Sequence, residues 1–318
     1  MINFASARFW AGVFLFGGVN LAFTFSTFIQ QVVNGLSLGS VYALIAVGYS
    51  LVYSILLFSN FAHGGFLVVG GYACYYLLTQ WGYSVAISMF GALIASGLAA
   101  VLTERLAYKP IRERTSMTLY LLIASMGVNI IIENLFVVTV GGRIRALPQN
   151  TFPTGIFNLW GGVTLSASDI LSLVTAVIFL SLLQLFLNRT RWGLAIRAAA
   201  CDIRTAGLMG VNVTFLISLV FFVAGVLAAV GGIFLSVRYS LYPQLGSITT
   251  KAFIAAVIGG LGSLPGAVVG SLILGLAEML TAGFISSQMR DLVVYSLLVI
   301  MLLIRPAGFF GKEISEKI

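Results

Sequence analysis

The chain is 318 residues long, 60% hydrophobic and 8% charged, with a mean hydropathy of +1.07 and a formal net charge of +8. Soluble domains carry about 25% charged residues, so the composition excludes a water-soluble globular protein. The positive balance is no nucleic-acid signature: no Lys/Arg block is dense enough to track phosphates, and the cytoplasmic loops of membrane proteins collect such residues.

Arg8 followed by FWAGVFLFGGVNLAF has the outline of a signal peptide. No small-x-small cleavage site follows, so an uncleaved extra span within residues 1–27 is expected. From Phe9 to Thr103 there is no Asp, Glu, Lys or Arg, and the one histidine of the chain, His63, lies in that stretch. Further uncharged runs cover Thr115–Ile132, Ile170–Leu187 and Leu216–Leu235. Each is close to the roughly 20 residues that cross a hydrocarbon core as helix, and continuous rather than alternating runs select helices over a barrel. The expected architecture is all-α, one polytopic transmembrane domain over 1–318. Spans are expected near 9–25, 30–57, 62–80, 83–103, 116–140, 169–187, 214–236 and 291–305. A glycine-broken region at 250–283 is expected to cross twice, once as a short piece, giving about ten spans, eight at the fewest.

Basic residues set the orientation. Arg8, the segment 104–114, the segment 188–204 and the tail hold twelve of the seventeen Lys and Arg, and placing all four inside puts both termini in the cytoplasm. The segment 141–168, rich in Gly, Pro and Asn, then reads as the longest external loop. The stretch 188–212 is too polar to cross lipid and too apolar, with Leu194, Ile196, Leu208 and Met209, for a solvated loop. It predicts a short cytoplasmic helix that either docks on a partner or lies on the lipid surface.

Enzyme signatures are missing. Gly311-Lys312-Glu313 lacks the leading glycine and the hydroxyl of a P-loop. One histidine cannot build a zinc site, and Cys74 and Cys201, one in a span and one in a basic loop, predict neither a disulfide nor a metal centre. A hydrolase pairing His63 with Glu133 or Glu278 would lack a nucleophile. The small-residue pairs Gly35/Gly39 and Gly266/Gly270 predict close helix packing. Four glycines and a proline within 258–266 predict a break, tolerated at membrane depth only in a protein interior or along a cavity. Asn60 is expected to cap a helix beginning at Phe61, with His63 bonding a nearby carbonyl.

Three segments carry a resemblance. QQVVNGLSLGSVYALIAVGYSLVYSILLFSNFAHGG resembles the start of permease subunits from branched-chain amino acid ABC importers, RAAACDIRTAGLMGVN their cytoplasmic coupling segment, and KAFIAAVIGGLGSLPGAVVGSLILGLAEML their glycine-rich late region. The resemblance runs from about Phe28 to Gly311. It implies a second permease, two cytoplasmic ABC ATPases that hold ATP and Mg²⁺, and an external substrate-binding protein, with no cofactor on this chain. It places coupling to the ATPase on Arg197, Ala198, Asp202, Thr205, Ala206, Leu208 and Gly210. The translocation path is expected along Asn34, Gly39, Tyr42, Asn60, Phe61, His63, Gly64, Gly260, Gly262 and Glu278. Many members carry an acid after the glycine of the Asn-Phe-Ala-His-Gly element, where this chain has Gly65. Importers of urea or short amides share the pattern; a stand-alone channel or carrier would need Glu133 or Glu278 as its coupling carboxylate.

Overall fold

The computed structural model describes residues 25–115, 117–148, 152, 155–158 and 163–311. The expected first span at 9–25 falls almost wholly outside them. In chain order the helices are α1 (Phe25–Leu56), α2 (His63–Thr79), α3 (Val85–Thr103), α4 (Lys109–Arg114), α5 (Thr118–Val140), α6 (Ala167–Arg189), α7 (Arg191–Cys201), α8 (Ile203–Leu208), α9 (Val213–Tyr239), α10 (Thr249–Gly259), α11 (Leu264–Phe284) and α12 (Arg290–Ile304). A hairpin of β1 (Ile156–Asn158) and β2 (Thr164–Ser166), paired antiparallel with Ile156 opposite Ser166, leads into α6.

Seven of the described segments are long and apolar enough to cross a membrane. With α2, which has 17 residues, that makes eight; the count of ten is not reached among the described residues. Of the two expected spans not counted, one, at 9–25, lies almost wholly outside the described residues and the other lies at the region 250–283. That region folds as a helical hairpin whose first arm, α10, has 11 residues, about 16 Å of helix against a hydrocarbon core of roughly 30 Å.

α1 is the axis of the bundle, with residues 37–52 all buried. Burial of a whole helix surface requires close neighbours on every side, and small residues supply them. A Cβ on Gly35 would stand 2.8 Å from the Cα of Leu276 in α11, and one on Gly39 would stand 2.9 Å from the Ser271 carbonyl. α9 packs on the opposite side, its Gly231 against Ile45. α5 and α12 are peripheral: α5 buries Leu121 and Ser125, α12 buries Val294 and Met301, and their other faces present Leu, Ile and Val to lipid.

The basic segment 104–114 is no loop. α3 continues through a π-turn at Glu104–Tyr108 into α4. Pro110 lacks the N–H that a regular turn needs, and the wider π-turn just before it shifts the ladder. That continuation turns Glu104 inward, where it is fully buried, accepts from Ser218 Oγ of α9 at 2.9 Å and pairs with Arg112 at 3.1 Å. Glu104→Ala leaves Arg112 without its counter-charge. Because the arginine side chain is 23% exposed, the expected loss is about 2 kcal/mol, below the ~3–5 of a fully buried pair. Thermal unfolding in detergent should show it, and Glu104→Gln with Arg112→Met should be milder than Glu104→Ala alone.

Candidate functional site

Two interrupted helices meet inside the bundle. After α1 the chain runs through residues 57–62, with Leu57 at φ +53°, before α2 begins. The backbone groups of this passage are satisfied by neighbours rather than by water, as membrane depth demands. Phe61 N–H donates to Ser125 Oγ at 3.1 Å, Ala62 N–H to Asn60 Oδ1 at 3.2 Å and His63 N–H to the Asn60 carbonyl at 3.2 Å. The Tyr108 hydroxyl donates to the same Asn60 Oδ1 at 2.8 Å. The helix starts at His63 and not at Phe61: residues 60–63 first close a tighter turn on the Asn60 carbonyl, and the i to i+4 ladder begins with Phe66 N–H donating to the Ala62 carbonyl at 3.2 Å.

Opposite it, the chain returns after α9 through a 3₁₀ turn, Pro243–Ile248, into α10. A Cβ on Gly64 would lie 2.7 Å from the Gly246 carbonyl and 2.9 Å from Thr249 Oγ1. The first turn of α2 thus touches the 3₁₀ turn through backbone and the start of α10 through the Thr249 hydroxyl. Tyr49, Phe61 and Phe253 line the contact, with Tyr49 4.6 Å from the His63 ring and 5.7 Å from Phe253, centroid to centroid. His63 is fully buried. Its nitrogens make no hydrogen bond of good geometry, the Ile45 carbonyl giving only a loose interaction. The expected firm bond to a carbonyl is not made, because the ring is seated edgewise among aromatics and against Gly48.

The structure does not bring His63 to either glutamate. Glu278, 1% exposed, accepts from Tyr42 Oη at 3.0 Å and pairs with Lys251 at 2.8 Å; Glu133 accepts from Asn129 at 2.8 Å within α5. Lys251 also pairs with Asp291 at 2.8 Å, which ties α10 to α11 and α12. Lys251 and Asp291 were not singled out by sequence. The signal was there: Lys251 and Glu278 bracket an uncharged run, and a hairpin brings its ends together. Among the described residues no group of His, Cys, Asp and Glu could hold a metal.

The other path residues lie elsewhere. Asn34 accepts from Gln30 at 3.0 Å near the β-hairpin, and Gly39 is consumed in the α1–α11 contact. Gly260 (φ +103°) and Gly262 (φ +84°) form the turn between α10 and α11, a conformation that glycine adopts without strain. Phe309 and Phe310 seal this turn, donating to the carbonyls of Ile258 and Gly259 at 2.9 Å each.

The stretch 188–212 is two helices, not one. Asp202 breaks it: its φ of −158° and ψ of 110° are extended, and its carboxylate caps α8. Oδ1 accepts from Arg204 N–H at 2.8 Å and Thr205 N–H at 3.2 Å, and Oδ2 from Thr205 Oγ1 at 2.6 Å. These bonds, the Thr205 hydroxyl first, hold the carboxyl below the usual Asp value of 3.8. The cap is therefore complete at neutral pH and is lost only as the pH falls below that value. Ala198 gives its carbonyl to Asp202 N–H at 3.1 Å, and Gly210 takes φ +88° where the chain turns into α9. Arg197 donates to the Leu187 carbonyl and to Asn188 Oδ1, closing the end of α6. Ile196, Ala199 and Ala206 face the bundle, whereas Leu194, Leu208 and Met209 face away, Leu208 88% exposed.

A Cβ on Gly48 would stand 2.7 Å from His63 Cε1. Gly48→Ala should cost about 1–3 kcal/mol by overpacking, read as a lower unfolding midpoint in detergent. Combined with His63→Ala, the two losses should fall short of their sum by at least about 1 kcal/mol, as expected for residues in contact.

Comparison with known proteins covers most of the chain. The family described as "Branched-chain amino acid transport system / permease component" matches residues 31–302. The chain is 38% identical to the high-affinity branched-chain amino acid transport system permease protein LivH of Salmonella typhimurium, over 92% of this chain and 99% of that one. It is 37% identical to BraD of Pseudomonas aeruginosa, described in the same words, over 92% and 98%. A solved structure, PsaBC from Streptococcus pneumoniae in complex with Fab, aligns over 94% of this chain and 98% of its own with 16% identity and a TM-score of 0.44. The chain belongs to the family of branched-chain amino acid transport permease components.

Proposed function

We propose that this chain is the membrane permease subunit of an ATP-driven ABC importer for branched-chain, hydrophobic or neutral amino acids. In this reading it is a multi-pass protein of a bacterial plasma membrane with both termini cytoplasmic. It forms the path with a second permease, a copy or a sister chain, and takes substrate from an external binding protein. Cytoplasmic ABC ATPases bind ATP and Mg²⁺; the chain binds no cofactor and catalyses no reaction. The substrate class rests on the descriptions of its relatives LivH and BraD.

The observation that carries the reading is the α7–α8 pair. Helices built to lie on lipid turn their apolar face to the bilayer. Here the inward apolar residues are already spent on the bundle, while Leu208 and Met209 project away, 88% and 83% exposed, and suit a protein partner. The pair is anchored to two spans. Arg197 holds the end of α6, and Asn212 Oδ1 caps α9 by accepting from Phe215 N–H at 3.1 Å. A push on α7–α8 when ATPases close would move α6 and α9 against each other, alternating an inward and an outward cavity. Of the two carboxylates that a carrier driven by ions could use, Lys251 engages Glu278, and Glu133 bonds Asn129 within the peripheral helix α5.

Mass spectrometry of the chain purified in mild detergent from cells bearing its own operon should find P-loop ATPases and a permease in the complex. A chain that purifies alone would contradict the reading. Asp202→Arg should unfold the cap of α8 and uncouple ATP hydrolysis from uptake, with uptake falling at least tenfold and membrane insertion unchanged. Undiminished uptake in that variant would remove α7–α8 from the coupling role.

A further inference from the structure

A cavity of about 420 Å³ opens between the outer ends of α1, α6 and α9, within the roughly 300–1,000 Å³ of small-molecule sites. One end is polar and carries both signs of charge. Asp169 of α6 and Arg238 of α9 lie 3.3 Å apart and are 27% and 29% exposed. Charge-assisted bonds are usually shorter, about 2.7–2.9 Å, so this pair is loose. Arg238 turns its second terminal nitrogen only to Met279 Sδ at 4.0 Å, a weak acceptor. Asp169 keeps one oxygen in the pair, where Ser37 Oγ also donates at 2.7 Å, and Ser37 meets Ser172 Oγ at 3.3 Å. The other wall is apolar: Val41 and Phe234 back it, and Val237 forms its exposed rim.

We propose that this cavity is a low-affinity binding site for a zwitterionic amino acid with an apolar side chain. The substrate ammonium takes the place of the guanidinium on Asp169, flanked by the Ser37 and Ser172 hydroxyls. Its carboxylate takes a bidentate bond from Arg238, whose planar fork matches it. The side chain lies along Val41, Phe234 and Val237. An α-amino acid carries one charge of each sign, so it replaces the internal pair without stranding either partner. A ligand with one charge cannot do so, and the unmatched side chain then bears the cost of desolvation. Affinity is low by construction, because every substrate contact displaces an ion pair already present. The two helices that hold the pair are also the two joined by α7 and α8 at the opposite end of the bundle. A change in their spacing opens or closes the site. The inference rests on the importer reading for the substrate's class and for the side from which it arrives.

The test is titration of L-leucine into the wild-type permease–ATPase complex in nanodiscs without its binding protein, followed by saturation-transfer NMR. Leucine should bind saturably in the millimolar range. Isoamylamine and 4-methylpentanoate, which keep one charge each, should bind at least tenfold more weakly. Asp169→Asn and Arg238→Gln should each weaken leucine at least tenfold. The reversed pair, Asp169→Arg with Arg238→Asp, separates binding from structure: it should restore the unfolding midpoint lost in the single variants and leave leucine unbound. Restored binding in the reversed pair would make the residues a strut and overturn the site. Uptake of leucine by the same wild-type complex, with binding protein and ATP added, is measured alongside. Uptake without saturable binding overturns the site and leaves the importer reading standing; binding in a complex that imports no amino acid does the reverse.

Discussion

The fold depends on one constraint: a backbone that leaves helical geometry inside an apolar solvent must find every hydrogen-bond partner within the protein. Among the described residues, the passages outside α-helix at 57–62 and 242–248 meet at one place. Ser125, Asn60 and Tyr108 take or anchor the polar groups of the first break. In the second, Leu245 N–H donates to the Tyr242 carbonyl at 3.0 Å and Thr249 Oγ1 to the Gly246 carbonyl at 2.6 Å. Gly64 and Gly246 then let the two passages touch without side chains between them. The short helix α10 is held at depth because the turn that opens it rests on the first turn of α2.

Around that contact the charges are matched rather than avoided. Glu104 has Arg112, Glu278 has Lys251, Lys251 has Asp291, and Asp169 has Arg238. Ionisable groups in lipid are costly unless paired or facing a cavity, and every pair but the first joins two different spans or hairpin arms. The two tightest of these inter-helix pairs, at 2.8 Å each, hold the short arm α10 to α11 and α12; the loosest, at 3.3 Å, lies at the cavity between α1, α6 and α9. His63 lies at the junction of the two breaks, a fully buried imidazole among aromatic rings.

Much of this was legible in the sequence. Uncharged runs of bilayer length located the principal helices within a few residues, since hydropathy alone dictates where a chain can cross lipid. Gly35 and Gly39 announced close helix packing, though not that α11 is the partner, and the glycines at 258–266 announced a break. What stayed hidden depends on three-dimensional closure. Nothing local to Thr249 or Gly246 says that they meet Gly64. The basic stretch 104–114 was read only as a segment placed inside, because charge marks the membrane boundary, yet the helix carries on through it and folds Glu104 inward. Asp202 was singled out by pattern, but its part in splitting one amphipathic helix into two appeared only with its backbone angles. Asp169 and Arg238, which sit at the ends of different spans, carry no motif, and only the packing of α6 on α9 and α1 makes them a pair.

The central claim is that this chain carries substrate only as part of an ATP-driven assembly. The most direct measurement is uptake of radiolabelled leucine into proteoliposomes that contain the purified complex, with ATP and binding protein supplied on opposite sides. The account predicts uptake that requires both, stops with a non-hydrolysable ATP analogue, and is indifferent to proton or sodium gradients. Leucine accumulation by this chain alone, driven by an ion gradient in the absence of ATP, would contradict it.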